Sequence, residues 1–311
     1  DLDALNEYFT FQNLFTYKTL FKGVEMLPQA NTVSIDSTST FVKHHSWWDY
    51  DFSKPDYNIS FEDARAETNR LFEQAVQRQM IADVPVGTYL SGGMDSGSIT
   101  AVASRHVNRL TTFTCGFDMS EATGREANFD ERRDAEIMAN YFKTEHYEQV
   151  MNAGDIKWSL PRLVYHLEDL RVGMSYPNYY ISRLASKFVK VCLQGTGGDE
   201  LFGGYLYFHK APSPKDFHEE TVRKLDKLHM YDCLRANKSL AAWGIEGRVP
   251  FLDKEFMDVA MSINPKDKMI NGERMEKWVV RKAFEDYLPD SVVWRQKEQF
   301  SDGVGYSWID T

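Results

Sequence analysis

A short loop of small residues constrains the fold of this chain more than any other feature. The loop has the letters LSGGMDS over positions 90–96, and it follows a stretch at 83–90 that is typical of a short buried strand. From Ser96 to about His106, apolar side chains recur at helical spacing. The loop therefore lies at a helix N-terminus, where free backbone N–H groups and the helix dipole favour an anion. The pattern predicts a phosphate-binding loop and points to ATP chemistry.

The side chains of this loop suit a triphosphate. Gly92 and Gly93 allow the backbone to approach phosphate oxygens closely, and Ser91 and Ser96 offer hydroxyl donors. Asp95 can hold a magnesium ion that is bound to those phosphates. The pattern is neither a Walker loop nor a dinucleotide fingerprint. The structural alternative is an ordinary turn in which Asp95 or Ser96 caps the following helix.

A second glycine-rich loop strengthens this interpretation. It covers 194–200 with the letters QGTGGDE, and it follows the strand-like run 189–193. Strands of an open parallel sheet end at the same edge, so this loop is expected to face the first one across a crevice.

The alternation of strand-like and helix-like segments from Asp83 onward is typical of a parallel sheet covered by helices. We therefore predict an α/β fold, with helices on both faces of a parallel sheet and a mostly helical part beyond Tyr205. Further strands are predicted at 110–117 and 146–151. Helices are predicted at 130–142, 158–167, 177–188, 219–237, 254–263 and 275–287.

The first 55 residues have a different character. Alternating residues at 31–35 and 40–43 predict a hairpin, and three aromatic residues follow it. The likeliest linker is 51–57, which contains a Lys-Pro pair. We therefore predict two parts, 1–55 as the end of another domain and 56–311 as the nucleotide domain.

Charge and composition narrow the class of protein. The chain has 311 residues, 36 basic and 46 acidic side chains and a net charge of −10, which disfavours an enzyme that must neutralise many nucleic-acid phosphates. No run of eighteen apolar residues and no secretory signal are visible. Its three cysteines are widely spaced and form no metal-binding or disulfide pattern. We expect a cytoplasmic protein with neither a nucleic-acid nor a membrane partner.

Several blocks carry a resemblance to one family. They are 7–12 (EYFTFQ), 195–205 (GTGGDELFGGY), 248–253 (RVPFLD) and 294–303 (WRQKEQFSDG). With the 90–96 loop, they resemble the glutamine-hydrolysing asparagine synthetases, whose synthetase domain belongs to the ATP pyrophosphatases with a pyrophosphate (PP) loop and an adenine nucleotide alpha-hydrolase-like fold. The resemblance implies that aspartate attacks ATP to give β-aspartyl-AMP and pyrophosphate. Ammonia, normally derived from glutamine, then displaces AMP and yields asparagine.

The resemblance also implies roles for individual residues. Asp95 and Asp199 would share Mg²⁺, Lys297 would lie beside the reacting phosphate, and Thr196 would stand at a catalytic position. The residues implied to bind ATP are Leu90, Ser91, Gly92, Gly93, Asp95, Ser96, Cys115, Gln194 and Gly195. The Cys115 thiol needs no chemical role, because the family uses a backbone contact there. Asp253 is either a substrate or metal contact or a helix cap.

Two departures from the family pattern bear on activity. The family has serine and glutamate where this chain has Gln194 and Thr196, and a threonine hydroxyl cannot act as a carboxylate base. The chain also begins at Asp1, and its first cysteine is Cys115, whereas a glutaminase of this type needs an N-terminal cysteine nucleophile. We therefore expect a chain that uses free ammonia, with most of a glutaminase domain missing. The family resemblance makes a homodimer an open expectation.

Two other functions remain open. A related amidotransferase would adenylate a different carboxylate, and Thr196 keeps that alternative alive. A nucleotide-binding module without turnover would work through protein contacts. Asp95, Asp199 and Lys297 argue against such a module, because a non-catalytic protein has no chemical need for all three.

Overall fold

The computed structural model describes residues 1–36, 38, 42–52, 55–118, 120, 131–170, 175–230, 232–272 and 274–296. Its strands are β1 Asn31–Ile35, β2 Val42–Ser46, β3 Val86–Tyr89, β4 Thr111–Phe117, β5 Glu145–Met151, β6 Val191–Leu193 and β7 Glu246–Arg248. Its helices are α1 Leu2–Phe11, α2 Phe61–Gln79, α3 Met94–Ala103, α4 Arg132–Phe142, α5 Ala153–Leu167, α6 Ser175–Ala185, α7 Gly198–Phe202, α8 Pro214–Leu228, α9 Asp232–Ala241, α10 Lys254–Ser262, α11 Trp278–Phe284 and α12 Asp290–Val293.

Five of these strands form one sheet in the spatial order β5-β4-β3-β6-β7, and every neighbouring pair is parallel. Strands β3 and β6 lie side by side, with Thr88 opposite Leu193. Both strands therefore end at the same edge, and both glycine-rich loops leave the sheet there. The parallel sheet predicted from sequence is confirmed.

Strand β6 shows how the sheet is covered. Its three residues are all buried, but they belong to different clusters. Val191 and Leu193 pack with α2, α3, α10 and α11, whereas Cys192 packs with α6 and α9. Because successive side chains of a strand point to opposite faces, the sheet has helices on both sides. This arrangement confirms the predicted α/β fold, which buries its strands on both faces.

Two local predictions differ from the structure. Strand β7 was not predicted, because it has only three residues and two of them, Glu246 and Arg248, are charged. The helix predicted at 219–237 consists of parts of α8 and α9, separated by a turn in which the Met230 N–H donates to the Lys227 carbonyl. Met230 is buried, so the apolar pattern continues across the turn and hides it.

The N-terminal part contains α1 and an antiparallel hairpin in which Asn31 lies opposite Ser46. The predicted hairpin is therefore present, with its second strand at Val42–Ser46. The Tyr8 hydroxyl donates to the Leu170 carbonyl at 2.9 Å, which connects α1 to the segment after α5. The division at 55 and 56 remains a prediction. Within the described residues, no helix combines the length and the apolar character that crossing a membrane requires.

Candidate active site

The first glycine-rich loop joins β3 to α3 as predicted. Gly92 has a φ of +71°, and a Cβ there would lie 2.8 Å from the Cβ of Asp134, so both its conformation and its space require glycine. The N-cap of α3 is Gly93, and no side chain caps the helix. The alternative in which Asp95 or Ser96 is a helix cap is therefore wrong.

Two serine hydroxyl groups hold this loop in shape. The Ser91 N–H donates to the Ser96 Oγ at 3.0 Å, and the two hydroxyl oxygens lie 3.1 Å apart. The Ser96 hydroxyl also donates to the Gly93 carbonyl at 3.1 Å. The hydroxyl groups predicted to contact phosphate therefore bond within the loop, and they shape the backbone that would surround an anion.

The second loop packs directly against the first. A Cβ on Gly195 would lie 2.9 Å from the Cβ of Asp95, and one on Gly198 would lie 2.8 Å from its carboxyl carbon. Gly197 has a φ of +102°, which few residues other than glycine adopt. The glycines of the second loop therefore leave the space that Asp95 occupies.

One lysine joins the two loops. The Nζ of Lys277 lies 2.5 Å from Oδ2 of Asp95 and 2.6 Å from Oδ1 of Asp199. The Lys277 side chain is 3% exposed, and its backbone is left-handed with a φ of +59°. Burial by itself would lower its pKa, but Asp199 and Asp95 raise the pKa well above its usual value. The amine therefore stays protonated in this site.

Gly204 makes room for this ion pair. A Cβ at Gly204 would lie 1.9 Å from Oδ1 of Asp199 and 2.4 Å from Cε of Lys277. A left-handed lysine that carries a buried charge is an unusual combination, and such backbone conformations concentrate at functional sites. Lys277 was not predicted from the sequence, because nothing in the local pattern distinguishes it from the other basic residues.

Asp95 and Asp199 are also suitable ligands for magnesium. Both carboxylates lie within 2.6 Å of a single nitrogen atom, and their side chains are 17% and 19% exposed. Mg²⁺ is commonly held by one or two carboxylates together with substrate phosphates. Among the described residues, no group of three or more histidine, cysteine or acidic side chains forms a complete metal site. The two carboxylates therefore fit an ion that takes its remaining ligands from a bound phosphate group and water.

A buried carboxyl group supports the second loop from below. Glu200 accepts a hydrogen bond from the Gly197 N–H at 3.1 Å and another from the Tyr205 hydroxyl at 2.5 Å. Burial, followed by the charge of Asp199, raises the pKa of Glu200 to about 7. Burial and the nearby carboxylates Glu200, Asp199 and Asp232 also raise the pKa of Tyr205. Neither Glu200 nor Tyr205 was predicted from the sequence to have a role in the site.

The two loops border a cavity of about 530 Å³, which is within the usual range for small-molecule sites. Its lining includes nearly all of the predicted residues: Leu90, Ser91, Gly93, Asp95, Ser96, Cys115, Gln194, Gly195, Thr196 and Asp199. Cys115 is partly exposed, and it packs against a buried cluster that includes Ile181. Gly92 shapes the loop next to the cavity. The prediction for Lys297 lies outside the described residues.

Further charged side chains in the lining were not predicted. The Arg235 guanidinium lies 2.5 Å from the carboxylate of Asp232, and both residues border the cavity with Asn178. By contrast, Asp253 caps α10 and lies 2.6 Å from the Arg78 guanidinium. Of the two roles considered for Asp253, the structure supports the helix cap.

Comparison with known proteins gives a consistent result. A family model described as asparagine synthase matches residues 67–216 and 210–311. Asparagine synthetase B [glutamine-hydrolyzing] of Escherichia coli (strain K12) is 45% identical over 286 residues, which are 86% of this chain and 49% of that protein. Asparagine synthetase [glutamine-hydrolyzing] 3 of Arabidopsis thaliana is 50% identical over 261 residues, with 77% and 43% covered. The chain thus spans about half the length of these relatives.

Solved structures give a weaker similarity. The NAD+ synthetase from Burkholderia pseudomallei is 13% identical, with 76% of this chain and 96% of that chain covered, and its TM-score is 0.32. A similarity at this level carries no argument about the present chain.

Proposed function

This chain belongs to the asparagine synthase family, a ligase family that forms carbon–nitrogen bonds, and on that premise we propose that it converts L-aspartate to L-asparagine with ATP. The observation that carries the proposal is the contact of Asp95, Asp199 and Lys277 between two glycine-rich loops. Anion-binding backbone, two carboxylates suited to magnesium and one buried cation are what transfer of an adenylyl group requires.

The proposed reaction has two steps. A β-carboxylate oxygen of aspartate attacks the α-phosphorus of ATP, the bond to the bridging oxygen breaks, and pyrophosphate leaves. Ammonia then attacks the β-carbonyl carbon of β-aspartyl-AMP, the nitrogen loses a proton, and AMP leaves with the electrons of the acyl–oxygen bond. The products are asparagine, AMP and pyrophosphate.

The residues around the cavity have distinct roles in this proposal. The loop from Ser91 to Ser96 holds the pyrophosphate portion through backbone N–H groups. The Lys277 ammonium offsets the negative charge that develops on phosphate oxygens in the transition state. Lys297 is proposed to lie beside the same phosphates, as the family resemblance implies.

Asp95 and Asp199 would hold Mg²⁺. When bound, the ion neutralises phosphate charge and helps to orient the triphosphate. Leu90, Cys115 and Gly195 would border the nucleotide.

The amino-acid substrate is proposed to lie near Arg235 and Asp232. A guanidinium group binds a carboxylate with two parallel hydrogen bonds, and a carboxylate accepts hydrogen bonds from an ammonium group. Arg235 therefore suits the α-carboxylate of aspartate, and Asp232 suits its α-ammonium group. Thr196 and Gln194, also in the lining, are proposed to contact the substrate through neutral hydrogen-bonding groups.

The nitrogen source and the wider organisation are separate parts of the proposal. Residues 1–55 are proposed to be the end of a glutaminase domain, and 56–311 the synthetase domain. Ammonia, supplied free or derived from glutamine, is the proposed nitrogen source, as the family resemblance implies. A homodimer is proposed from the family resemblance alone, and a cytoplasmic location from the spacing of the three cysteines.

The decisive experiment measures pyrophosphate release from ATP with magnesium and saturating ammonium. L-Aspartate is compared with a panel of other carboxylates and with no substrate, and asparagine is measured in parallel. We expect release that requires aspartate and is matched by asparagine. Release with another acid would instead identify a related amidotransferase, an alternative that Thr196 motivates.

A variant of the first loop tests the site itself. Asp95→Asn removes charge from the proposed magnesium site, so the magnesium concentration needed for half-maximal pyrophosphate release should rise. An unchanged magnesium dependence would contradict the assignment of Asp95. ATP binding without release in the presence of any acid would favour a binding module.

A further inference from the structure

Four cationic side chains among the described residues border the cavity, and each has a carboxylate partner. Lys277 pairs with Asp95 and Asp199, Arg281 with Glu276, Arg235 with Asp232, and Arg295 with Glu131 and Asp134. Lys277 and Arg281 are each 3% exposed and are fixed in the interior. The side chains of Arg235 and Arg295 are 19% and 26% exposed, so these two are more accessible to a ligand than Lys277 and Arg281.

Arg295 is the accessible cation on the side of the phosphate loop. Its guanidinium lies 3.0 Å from the Glu131 carboxylate and also contacts Asp134. Asp134 borders Gly92, because a Cβ on Gly92 would lie 2.8 Å from the Asp134 Cβ and 3.2 Å from the Glu131 carbonyl oxygen. The guanidinium therefore lies next to the loop that is proposed to hold pyrophosphate.

The two carboxylates that pair with Arg295 carry negative charge, which is unfavourable beside a phosphate-binding loop. Glu131 and Asp134 lie at the start of α4, beside a loop that would receive the most highly charged part of ATP. Without a nearby cation, these two negative charges would repel a phosphate group bound to the first loop. Arg295 offsets their charge, and the planar guanidinium has enough N–H groups to bind carboxylate and phosphate oxygens together.

A second contact fixes the position of Arg295 relative to Lys277. The Arg295 carbonyl accepts a hydrogen bond of 3.0 Å from Nη1 of Arg281. The same guanidinium donates through Nε to the Glu276 carbonyl at 2.7 Å and also contacts the Glu276 carboxylate. Glu276 immediately precedes Lys277, so one buried arginine connects the backbone of both cations.

We propose that Arg295 is a further substrate-binding residue, whose guanidinium binds the pyrophosphate portion of ATP beside the first glycine-rich loop. The inference rests on the ATP-binding part of the proposed function. It does not depend on which carboxylate is adenylated. The ligand chemistry is a pyrophosphate group, in ATP or as the released product.

The test compares three ligands with and without the pyrophosphate portion. Equilibrium binding of MgATP, magnesium pyrophosphate and AMP is measured by calorimetry for the wild-type protein and for Arg295→Met, which keeps the length of the side chain and removes the charge. Losing a charge-assisted, two-pronged contact should weaken MgATP and magnesium pyrophosphate by about 10-fold or more. AMP lacks the groups concerned, so its affinity should stay within about 2-fold of wild type.

Two further variants separate phosphate binding from folding. Arg65→Met is the matched control, because Arg65 also contacts two carboxylates, Glu62 at 3.0 Å and Glu285 at 3.5 Å, and it does not border the cavity. It should leave all three affinities unchanged. Arg295→Lys keeps the charge but loses the fork geometry, so it should give a smaller loss than Arg295→Met.

The outcomes distinguish this proposal from the proposed function. Unchanged affinity for MgATP and pyrophosphate in Arg295→Met would overturn the role of Arg295, and so would an equal loss of AMP affinity. Absence of MgATP binding by the wild-type protein would overturn both proposals. A third outcome is that the wild type binds MgATP but shows no aspartate-dependent turnover. This outcome would overturn the proposed reaction, and the affinities of Arg295→Met would still decide the role of Arg295.

Discussion

The two loops at the carboxyl edge of the sheet are held in different ways. In the first loop, Ser91 and Ser96 bond to each other and to the loop backbone through hydroxyl groups, which carry no charge. In the second, the Glu200 carboxyl group beneath the loop receives bonds from Gly197 and Tyr205. One loop is thus supported by neutral groups within seven residues, and the other by a buried group that can ionise.

This difference bears on where the chain departs from its family. The first loop keeps the pattern expected of a pyrophosphate loop, and its local bonds require that pattern. The second loop keeps its glycines and Asp199 but has Gln194 and Thr196 at two of the positions that line the cavity. The support from Glu200 lies outside those positions, so the loop can change its contacts with substrate while its backbone stays in place.

Removing the cation that joins the loops should have the largest effect. Lys277→Met leaves Asp95 and Asp199 without their shared partner, and breaking a buried ion pair costs about 3–5 kcal/mol. We expect a loss of stability of that order and a fall in pyrophosphate release of about 10²- to 10³-fold. Denaturant unfolding and a single-turnover assay measure the two effects.

Lys282→Met is the control for this prediction. Lys282 lies on α11, the helix that begins directly after Lys277, and it pairs with Glu285. Its side chain is 28% exposed and does not border the cavity. An exposed pair of this kind contributes about 1 kcal/mol or less. If the two variants behaved alike, Lys277 would not be the element that joins the loops.

The ionisable group that supports the second loop, Glu200, predicts a pH dependence of the free energy of unfolding. The pKa of Glu200 is raised from 4.5 to about 7, by burial first and by Asp199 second. The folded protein therefore holds a proton that the unfolded chain releases above about pH 4.5. This contribution to stability is complete below that pH and is lost as the pH rises through 7, with a total of about 3 kcal/mol.

Glu200→Gln should remove this slope, because the amide does not titrate. The free energy of unfolding of the metal-free protein, measured from pH 4.5 to 7.5, should fall less steeply in the variant than in the wild type. Ser96→Ala provides the comparison, since loss of a hydroxyl should shift stability by a similar amount at every pH. Equal slopes for Glu200→Gln and wild type would show that Glu200 does not titrate in this range.

Thr196 tests whether the altered position of the second loop still takes part in the reaction. Thr196→Val keeps the shape of the side chain and removes one hydrogen bond, worth about 0.5–1.5 kcal/mol. Asparagine formation should slow by roughly 2- to 12-fold, whereas Thr196→Ser should retain most of the rate. A valine variant as active as the wild type would remove Thr196 from the catalytic residues.

The smallest effect is expected outside both loops, at Asp253. Its carboxylate accepts from the N–H groups of Glu255 and Phe256 and pairs with Arg78. Asp253→Ala should cost about 1 kcal/mol of stability, as expected for a lost helix cap, and leave turnover unchanged. Thermal unfolding and steady-state kinetics measure both quantities. A fall in turnover at equal stability would restore the role in substrate or metal contact.

Short sequence patterns predicted the elements whose structure depends mainly on neighbouring residues in the chain. The strand–loop–helix units around 90–96 and 194–200 are visible because buried strands and glycine turns leave short signatures. The position of Lys277 left no such signature, because its partner Asp95 is 182 positions away in the chain. Glu200, Tyr205 and Arg235 were missed for a related reason, since burial and cavity lining depend on packing between distant elements.

The family resemblance supplied what local patterns did not, but unevenly. It identified Asp95 and Asp199 as a pair, and the structure brings them to one nitrogen atom. It also directed attention to Lys297, which stays a prediction, and not to Lys277 or Arg295. The family motifs are short continuous stretches of sequence, whereas the charges around the cavity come from residues dispersed along the chain.

The bare backbone at Gly204 has a consequence for natural variation and for protein engineering. The side chains of Asp199 and Lys277 occupy the space that a methyl group on residue 204 would need. Even alanine would force Lys277 and Asp199 apart, although Gly204 carries no functional group. A position without a functional side chain is easily overlooked when residues are ranked by their chemistry, yet only glycine fits at position 204.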